Sequence, residues 1–420
     1  MSKRDVAHVL RRLSIGVHPR LVATLDSADA AVARALDLSA PAPAPLDFPA
    51  PTDFASAREI RRIVEPVTWW LEQMRSNPRL IEERLVWFWH DHFATSLQKV
   101  RVPYLMYQQQ LTIRKHATGS FAELLHAIAK DPAMLLFLDG VTNSARKRNE
   151  NFGREVMELF TVGRGRYTQD DVVAASRAFT GWVVDIPGRP GLERAAAFGI
   201  PPWQSGLVPR RHDAGVKTLL GRTGAFDLDG ALDVLLDHPA TAPRIAAKLY
   251  TELVGSAPDE RTAARLGTTL RDHDWQVMPV VETIVHDPAF TSPAARGARV
   301  RTPVEKLVGL MQAFPESLPP GTAAAAGRAL RTIGYVPFVP PNVGGYPKGT
   351  RLLGPHQLVH AFDLLSVFPT APNVPRRVDD LFAALGLYGV SDRTHAVVSA
   401  ERDPGRRLAL AVASPEYSVG

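Results

Sequence analysis

The chain has 420 residues, of which 45% are hydrophobic and 22% are charged, and its formal net charge is +6 at pH 7. This composition is typical of a globular protein and excludes a disordered or fibrous chain. The absence of cysteine excludes disulfides, thiolate metal ligands and a cysteine nucleophile.

The charge pattern and the apolar runs limit the expected partners. The arginines are spread along the chain without a block of five like charges, so nucleic acid is not an expected partner. No apolar run approaches the roughly 20 residues that span a bilayer. Residues 1–12 are not followed by the apolar stretch of a secretory signal. We therefore expect a cytoplasmic protein, or an exported one if a leader has been removed.

Proline and glycine divide the chain into helical blocks. Residues 1–50 are expected to form N-terminal helices and a Pro/Ala-rich connector, residues 51–370 a helical core, and residues 371–420 C-terminal helices. A Pro/Gly-rich insert at about 184–220 favours a long loop or a few short strands. The predicted fold is mainly α, a multi-helical globular body with long Pro/Gly-rich loops and at most a few short strands, in one compact unit.

Several helices follow from apolar periodicity and capping residues. The segment from Ile81 to Phe93 is apolar on two faces, which predicts a buried helix. Ser120 with Glu123, and Thr168 with Asp171, have the spacing of capping boxes. A helix over 149–162 is predicted because its apolar residues fall at i, i+4, i+7 and i+8. Further helical patterns cover 229–237, 241–254, 259–270, 276–287, 303–314, 322–332, 356–367, 377–386 and 405–413.

The stretch from Tyr335 to Thr350 is too rich in proline and glycine for a regular element. We expect it to wrap the surface of the helical body. The favoured interpretation is a rigid packing loop that carries Phe338 and Tyr346, and a loop that builds a functional site is the alternative.

His90 and His92 flank Asp91 at the end of the buried helix. Histidine and carboxylate are common metal ligands where cysteine is absent. Residues i and i+2 of a helix point in different directions, however, so both histidines can bind one metal only if the helix ends or unwinds there. The alternative is that one is a core residue bonded to a backbone carbonyl and the other caps the helix.

The helix over 149–162 presents a polar face next to its apolar stripe. This face carries Asn151, Arg154, Glu155 and Glu158. Two carboxylates one turn apart can chelate a divalent metal or act as an acid–base pair. They can equally pair with arginines in solvent.

Two further groups of residues are candidates for the site. His212 and Asp213 can supply a base and its orienting carboxylate, with Lys217 as an anchor for an anion, although Asp before Ala-Gly is also ordinary turn chemistry. Arg11 and Arg12 can bind an acidic substrate or pair with Glu155 or Glu158, and we favour the internal ion pair.

Several sequence blocks together resemble the domain-of-unknown-function 1800 (DUF1800) family. They are Trp87 to Ser96, Asn149 to Leu159, Tyr167 to Trp182, His212 to Thr218, Arg301 to Glu305 and the loop that ends at Tyr346-Pro347. The resemblance covers about residues 5 to 370 and implies no established activity. It implies a protein of a kind that is often exported and often encoded beside a sulfatase-like family.

Two hypotheses follow. In the first, His90, His92, Glu155 and Glu158 meet in a cleft, where they hold a divalent metal or perform acid–base chemistry on a small or anionic substrate, and both hydrolysis and metal-assisted oxidation are open. In the second, the polar residues form a buried network in a non-enzymatic protein that binds a partner protein or acts as a scaffold. The sequence lacks His-Glu-x-x-His, Gly-x-Ser-x-Gly and phosphate-binding glycine motifs.

Overall fold

The computed structural model describes residues 2–189, 195–318, 321–354, 362–368 and 373–420, and these residues are mainly helical, as predicted. The helices of the first half are α1 Lys3–Leu13, α2 Pro19–Thr24, α3 Ala28–Leu36, α4 Phe54–Ala57, α5 Val64–Ser76, α6 Leu80–His92, α7 Leu97–Val100, α8 Pro103–His116, α9 Phe121–Ala129, α10 Pro132–Phe137, α11 Asn151–Glu155 and α12 Gln169–Ala178. A π-helix, Val156–Phe160, continues α11 directly.

The second half continues with α13 Leu228–Asp237, α14 Thr241–Val254, α15 Glu260–Asp272, α16 Val277–Val285, α17 Pro303–Ala313, α18 Thr322–Ile333, α19 Val378–Ala384, α20 Asp392–Ala400, α21 Pro404–Ala413 and α22 Pro415–Ser418. The 3₁₀-helices are Ile60–Ile63, Gly140–Thr142, Ala195–Phe198, Pro209–Arg211, Pro315–Ser317, Gly349–Leu353 and Phe362–Val367. Among the described residues, none of the helices has the length and apolar character that crossing a bilayer requires.

Strands are short and lie in the insert that the sequence predicts. Strand β1 (Trp182–Val184) pairs antiparallel with β2 (Ser205–Leu207), and β3 (Lys217–Leu219) pairs antiparallel with β4 (Arg222–Gly224). In the first pair Val183 is opposite Gly206, and in the second Thr218 is opposite Thr223. These hairpins confirm the expectation of a few short strands.

Helix α6 lies at the centre of the body, and every one of its residues is buried. It contacts α1, α3 and α8. Its aromatic residues pack into a hydrophobic core that includes residues from Val6 to Tyr417, so the first and last helices share one core. The predicted burial of this helix is confirmed.

The loop from Tyr335 to Thr350 packs against the C-terminal end of α6. Phe338 and Tyr346 are both buried, and the Tyr346 ring stacks on Tyr335 with 4.7 Å between ring centroids. The backbone N–H of Leu97 donates to the carbonyl of Phe338 at 2.9 Å, which ties the loop to the start of α7. Phe338 and Tyr346 therefore pack into the body, as the packing interpretation expects.

The structure differs from the predicted elements in three places. The helix predicted over 149–162 begins as α11 but widens into the π-helix before it ends at Thr161. The helices α7, α8, α20 and α22 have no individual counterpart among the predicted patterns. The helix predicted over 356–367 lies partly outside the described residues, and its described part is the 3₁₀-helix Phe362–Val367.

Replacement of Gly345 by alanine should destabilise the fold strongly. Gly345 has a φ of +92°, and a Cβ there would overlap Oδ1 of Asp91. Both backbone strain and overlap then oppose the native loop, so we expect a loss of about 3 kcal/mol or more in the free energy of unfolding.

The matched control is Gly221→Ala. Gly221 has a φ of +79°, and a Cβ added there would meet nothing within 4 Å, so this variant reports backbone strain alone. We expect a loss of about 1 kcal/mol there. Urea unfolding of both variants measures the difference, and equal losses would contradict the packing of the loop on Asp91.

Candidate functional site

His90 is a packing residue inside an aromatic cage. The Trp70 ring stands perpendicular to it at 4.9 Å between centroids, and Phe338 and Tyr346 lie on other sides. Its Nε2 accepts a hydrogen bond from the backbone N–H of Phe338 at 3.2 Å. Burial lowers the pKa of His90 to about 3, so the ring is neutral. This nitrogen is therefore engaged by the loop.

Asp91 is buried and is held by the same loop. Its Oδ1 accepts from the backbone N–H of Tyr346 at 2.7 Å, and its Oδ2 forms an ion pair with Lys348. The close approach of the Gly345 backbone leaves no room for a side chain between them. Asp91 and Lys348 thus form an ion pair at the C-terminal end of α6.

His92 points away from His90, as the helical spacing predicts. Its Nε2 lies 3.3 Å from the carbonyl oxygen of Phe160, which can only accept, so Nε2 carries the hydrogen. Its Nδ1 then accepts from Nζ of Lys248 at 3.0 Å. Burial, with the positive charges of Lys248 and Arg244, lowers the pKa of His92 well below its ordinary value. Both ring nitrogens are occupied by protein groups.

Helix α14 supplies a polar stripe that faces His92 and Asp91. Its members are Arg244, Lys248, Thr251 and Glu252, which fall at i, i+4, i+7 and i+8 and therefore share one face. The opposite face is buried in the core through Ile245, Leu249 and Leu253. The alternation of core and polar positions along α14 thus fixes the stripe at the surface of the body.

The end of the π-helix is capped by this stripe. Arg244 donates to the carbonyls of Glu158 at 2.7 Å and Thr161 at 3.1 Å, and Lys248 donates to the carbonyl of Leu159 at 3.1 Å. The last carbonyls of a helix have no partner within it and carry partial negative charge, so cations stabilise them. Side chains of α14 therefore bond to backbone carbonyls at the end of the π-helix, and these bonds join α14 to α11.

These residues line a cleft formed by two adjoining pockets of about 380 Å³ and 280 Å³. The pockets share Phe88, Asp91, Thr251, Glu252 and Lys348. The charged groups that line the cleft are Arg244, Lys248, Lys348 and Arg299 on the positive side and Asp91 and Glu252 on the negative side. Even without a charge on Lys248, three positive groups face two carboxylates, so the cleft favours an anion.

Lys248 is the most perturbed cation of the cleft. Burial, followed by the charges of Arg244 and Lys348, lowers its pKa to about 7, although Asp91 acts in the opposite direction. A lysine with this pKa is partly an uncharged amine near neutral pH. Perturbed groups of this kind cluster at functional sites, and this one lies in the wall of a pocket.

A buried ion network forms the floor of the cleft. Arg84 of α6 lies 2.6 Å from Glu305 and 3.1 Å from Glu252, and Arg299 pairs with both glutamates, at 2.7 Å from Glu252. Burial opposes ionisation of Glu305, but the charges of Arg299 and Arg84 outweigh it and hold the pKa of Glu305 well below its ordinary value. The network joins α6, α14 and α17.

The predicted site residues of the insert, His212, Asp213 and Lys217, stabilise a turn. Asp213 accepts from Arg177 at 2.7 and 3.1 Å, and this bond holds its pKa at about 2. Lys217 is buried and donates to the backbone carbonyls of Asp213 and Gly215. Nδ1 of His212 lies 3.1 Å from the carbonyl of Thr180. All three side chains serve the turn, and none of them lines the cleft.

The side chains of the predicted polar face over 151–158 also form their hydrogen bonds and ion pairs outside the cleft. Arg154 contacts Glu150 at 3.3 Å, and the side chain of Asn151 donates to the carbonyl of Leu138 at 3.2 Å. Glu158 accepts from the hydroxyl of Tyr167 at 2.6 Å. Burial, followed by the charge of Glu158, raises the pKa of Glu155. The backbone of this segment reaches the cleft, but the two carboxylates are not among the lining residues.

Arg11 and Arg12 do not pair with Glu155 or Glu158. Arg12 is buried and donates to the carbonyl of Ala295, while its Nε and Nη1 have no hydrogen-bond partner among the described residues. Its guanidinium lies behind Gly255, and Gly255, not Arg12, lines the smaller pocket. Arg11 lines a separate pocket of about 180 Å³ with Arg4 and Arg296. The favoured internal ion pair with those glutamates is therefore wrong.

The sequence predicts a divalent metal at His90, His92, Glu155 and Glu158. Within the described chain, no three histidine, aspartate or glutamate side chains converge to hold a metal ion. His90 and His92 face opposite directions, and their ring nitrogens are bonded to the loop, the π-helix and Lys248. The geometry does not bring the four residues together.

The residues that build the cleft are mostly absent from the predicted site. Lys248, Arg244 and Glu252 belong to a helix that the periodicity predicts correctly, but whose polar stripe gives no sign of facing an interior cleft. Lys348 and Arg299 lie in loops. Glu252 stands four residues after Lys248, which is the spacing of an ordinary helical ion pair, so the sequence of this stripe gives no signal of a site.

A comparison with known protein families identifies the family of the chain. The family model described as "Protein of unknown function (DUF1800)" matches residues 8–419. The chain belongs to the DUF1800 family. The comparisons with curated proteins and with solved structures gave no match. The description of the DUF1800 family states no activity, so any functional proposal depends on the geometry of the cleft.

Removal of one carboxylate from the ion network should destabilise this DUF1800 protein. In Glu305→Gln, Arg84 and Arg299 keep only Glu252 as a carboxylate partner, and we expect a loss of about 3–5 kcal/mol. The control Glu316→Gln breaks an exposed pair with Arg20 and should cost less than about 1 kcal/mol. Denaturant unfolding measures both, and a small loss in Glu305→Gln would contradict the network's structural role.

Proposed function

We propose that this DUF1800 protein is an enzyme that binds a small anionic molecule in the cleft between α6, α14 and the Tyr335–Thr350 loop and acts on it. The observation that carries the proposal is the convergence of Arg244, Lys248 and Lys348 on one pocket beside His92 and Asp91. Clefts with convergent polar groups and perturbed pKa values are typical of active sites.

The charges of the cleft support an anionic ligand. Asp91 and Glu252 neutralise part of the positive charge, since Asp91 pairs with Lys348 and Glu252 with Arg299. Within the described chain, Arg244 and Lys248 have no carboxylate partner, because their hydrogen bonds go to backbone carbonyls and to His92. A carboxylate or phosphate group would supply the missing negative charge.

The size of the cleft supports a small molecule. The larger pocket has a volume of about 380 Å³, which is near the lower end of the usual range for ligand sites. Phe88, Leu159 and Val343 give its wall an apolar part. The reaction classes expected from the sequence, hydrolysis and metal-assisted oxidation, stay predictions, as does the cytoplasmic or exported location. A divalent metal at His90, His92, Glu155 and Glu158 is no part of the proposal, because the described residues do not bring these four together.

A second candidate function has its own observation. The network of Arg84, Glu252, Arg299 and Glu305 is buried and internally paired, as expected for a polar framework in a binding or scaffolding protein. This candidate explains the floor of the cleft. Arg244 and Lys248 cap the π-helix in either candidate, but a framework role does not account for their position in the wall of a pocket without a carboxylate partner in the described chain, and we therefore prefer the enzyme.

Small anions should stabilise the protein through Lys348. We expect oxalate and inorganic phosphate to raise the melting temperature of the wild type, because binding to the folded state alone shifts unfolding. In Lys348→Gln, the loss of one cation should weaken the affinity about tenfold, which corresponds to about 1.4 kcal/mol. Calorimetric titration measures the affinity.

The matched control is Lys99→Gln. Lys99 also pairs with an aspartate, Asp139, at 2.7 Å, but it lies outside the cleft. This variant should bind oxalate and phosphate as the wild type does. Equal affinities in Lys348→Gln and the wild type, or no binding of either anion, would refute the proposal and favour the scaffold.

A further inference from the structure

We propose that Lys248 is a nucleophilic amine that forms an imine with an aldehyde or ketone bearing a carboxylate or phosphate group. This inference rests on the anion-binding function proposed above and names the class of its substrate. It assigns a reacting atom, Nζ of Lys248, to the cleft. The argument depends on the contacts of this nitrogen, on the charges around it and on the apolar part of the pocket wall.

The two hydrogen bonds of Nζ leave one of the four tetrahedral positions around the nitrogen for a ligand. Nζ donates to Nδ1 of His92 at 3.0 Å and to the carbonyl oxygen of Leu159 at 3.1 Å. Nδ1 of His92 must accept, because Nε2 already donates to the carbonyl of Phe160. The two bonds use both hydrogens of an uncharged amine. Its lone pair takes the remaining tetrahedral position, on a side chain that lines the pocket.

The surroundings favour the uncharged amine. The charges of Arg244 and Lys348 act on Lys248, and Asp91, whose charge opposes them, is already paired with Lys348. His92 is neutral and offers no negative charge. Desolvated lysines next to another cation are the ones that act as imine-forming nucleophiles in enzymes.

The same cations define the anionic part of the substrate. Arg244 uses Nε and Nη2 to cap the π-helix, and within the described chain its Nη1 makes no hydrogen bond. Lys348 approaches from the loop on the other side, where its side chain is 58% exposed. A carboxylate or phosphate held between these groups would place an attached carbonyl carbon near Nζ. The anion thus orients the carbonyl for attack.

The reaction balances without an oxidant, a reductant or a second substrate. The lone pair of Nζ attacks the carbonyl carbon, the N–C bond forms and the C=O π bond opens to a carbinolamine. Both amine hydrogens then leave with the oxygen as water while the C–O bond breaks and the N=C bond forms. His92 and the Leu159 carbonyl, which contact these hydrogens at rest, are placed to guide their departure.

Reductive trapping with glyoxylate tests the proposal on the full wild-type chain. Glyoxylate combines an aldehyde with a carboxylate, and cyanoborohydride reduces an imine to a stable secondary amine. Peptide mass spectrometry then measures the labelling of each lysine. We expect Lys248 to be labelled about tenfold faster than Lys99 at pH 7, because Lys99 is a solvent-exposed ammonium ion paired with Asp139.

Two controls separate this inference from the proposed function. Oxalate should slow the labelling of Lys248 but not that of Lys99. Lys348→Gln should reduce labelling by glyoxylate more than labelling by the neutral aldehyde propanal, because both rates lose the charge that lowers the pKa of Lys248 but only glyoxylate also loses an anion contact. Labelling of Lys248 no faster than that of Lys99, while oxalate still binds, would overturn the imine and leave the anion site intact. Rapid labelling that oxalate and Lys348→Gln leave unchanged would instead refute the anion site and, with it, the substrate class.

Discussion

The structure depends on the complete burial of a helix that is far from wholly apolar. Helix α6 is buried over all of its residues, and these include Glu82, Glu83, Arg84, His90, Asp91 and His92. Polar groups of this kind are costly to bury unless each is paired. Arg114 pairs with Glu83 at 2.6 Å near one end, Arg84 joins the ion network, and the loop and the π-helix satisfy the last three residues. The partners of α6 thus determine which elements surround it.

The cleft is a consequence of the same constraint. The helical spacing turns His90 toward the aromatic cage and His92 toward α14, so Asp91 and His92 meet the polar stripe of α14 at the surface of the body. The cations of α14 cap the π-helix and, within the described chain, stand without a carboxylate partner. Groups that stabilise the fold therefore also supply the positive charge of the candidate site.

The helices can be predicted well from the sequence because most of them are amphipathic and have clear boundaries. The Thr168 capping box is present with Asp171, and α13 to α18 match the predicted patterns to within a few residues. The π-helix could not be predicted, since its apolar positions also fit a regular helix. Its carbonyls bond to Arg244, Lys248 and His92, which are distant in sequence and so give no local signal.

The candidate site can be predicted only in part for the same reason. Of the motif His90-Asp91-His92, Asp91 and His92 line the cleft whereas His90 packs in the aromatic cage, and local sequence shows neither this burial nor the long-range partners. Asp213 and Lys217 have the composition of a site and the contacts of a turn, whereas Lys248 has no local signature and lies in the cleft. Only the tertiary structure separates these cases.

The measurement that tests the account most directly is an NMR titration of the Lys248 side chain, assigned by comparison with Lys248→Arg in protein carrying ¹³C- and ¹⁵N-labelled lysine. The account predicts that the pKa of Lys248 is about 7 and that it rises when oxalate binds, because an anion stabilises the charged form. A lysine that titrates near the ordinary value of about 10.4, or that is indifferent to oxalate, would contradict an uncharged amine in an anion-binding cleft.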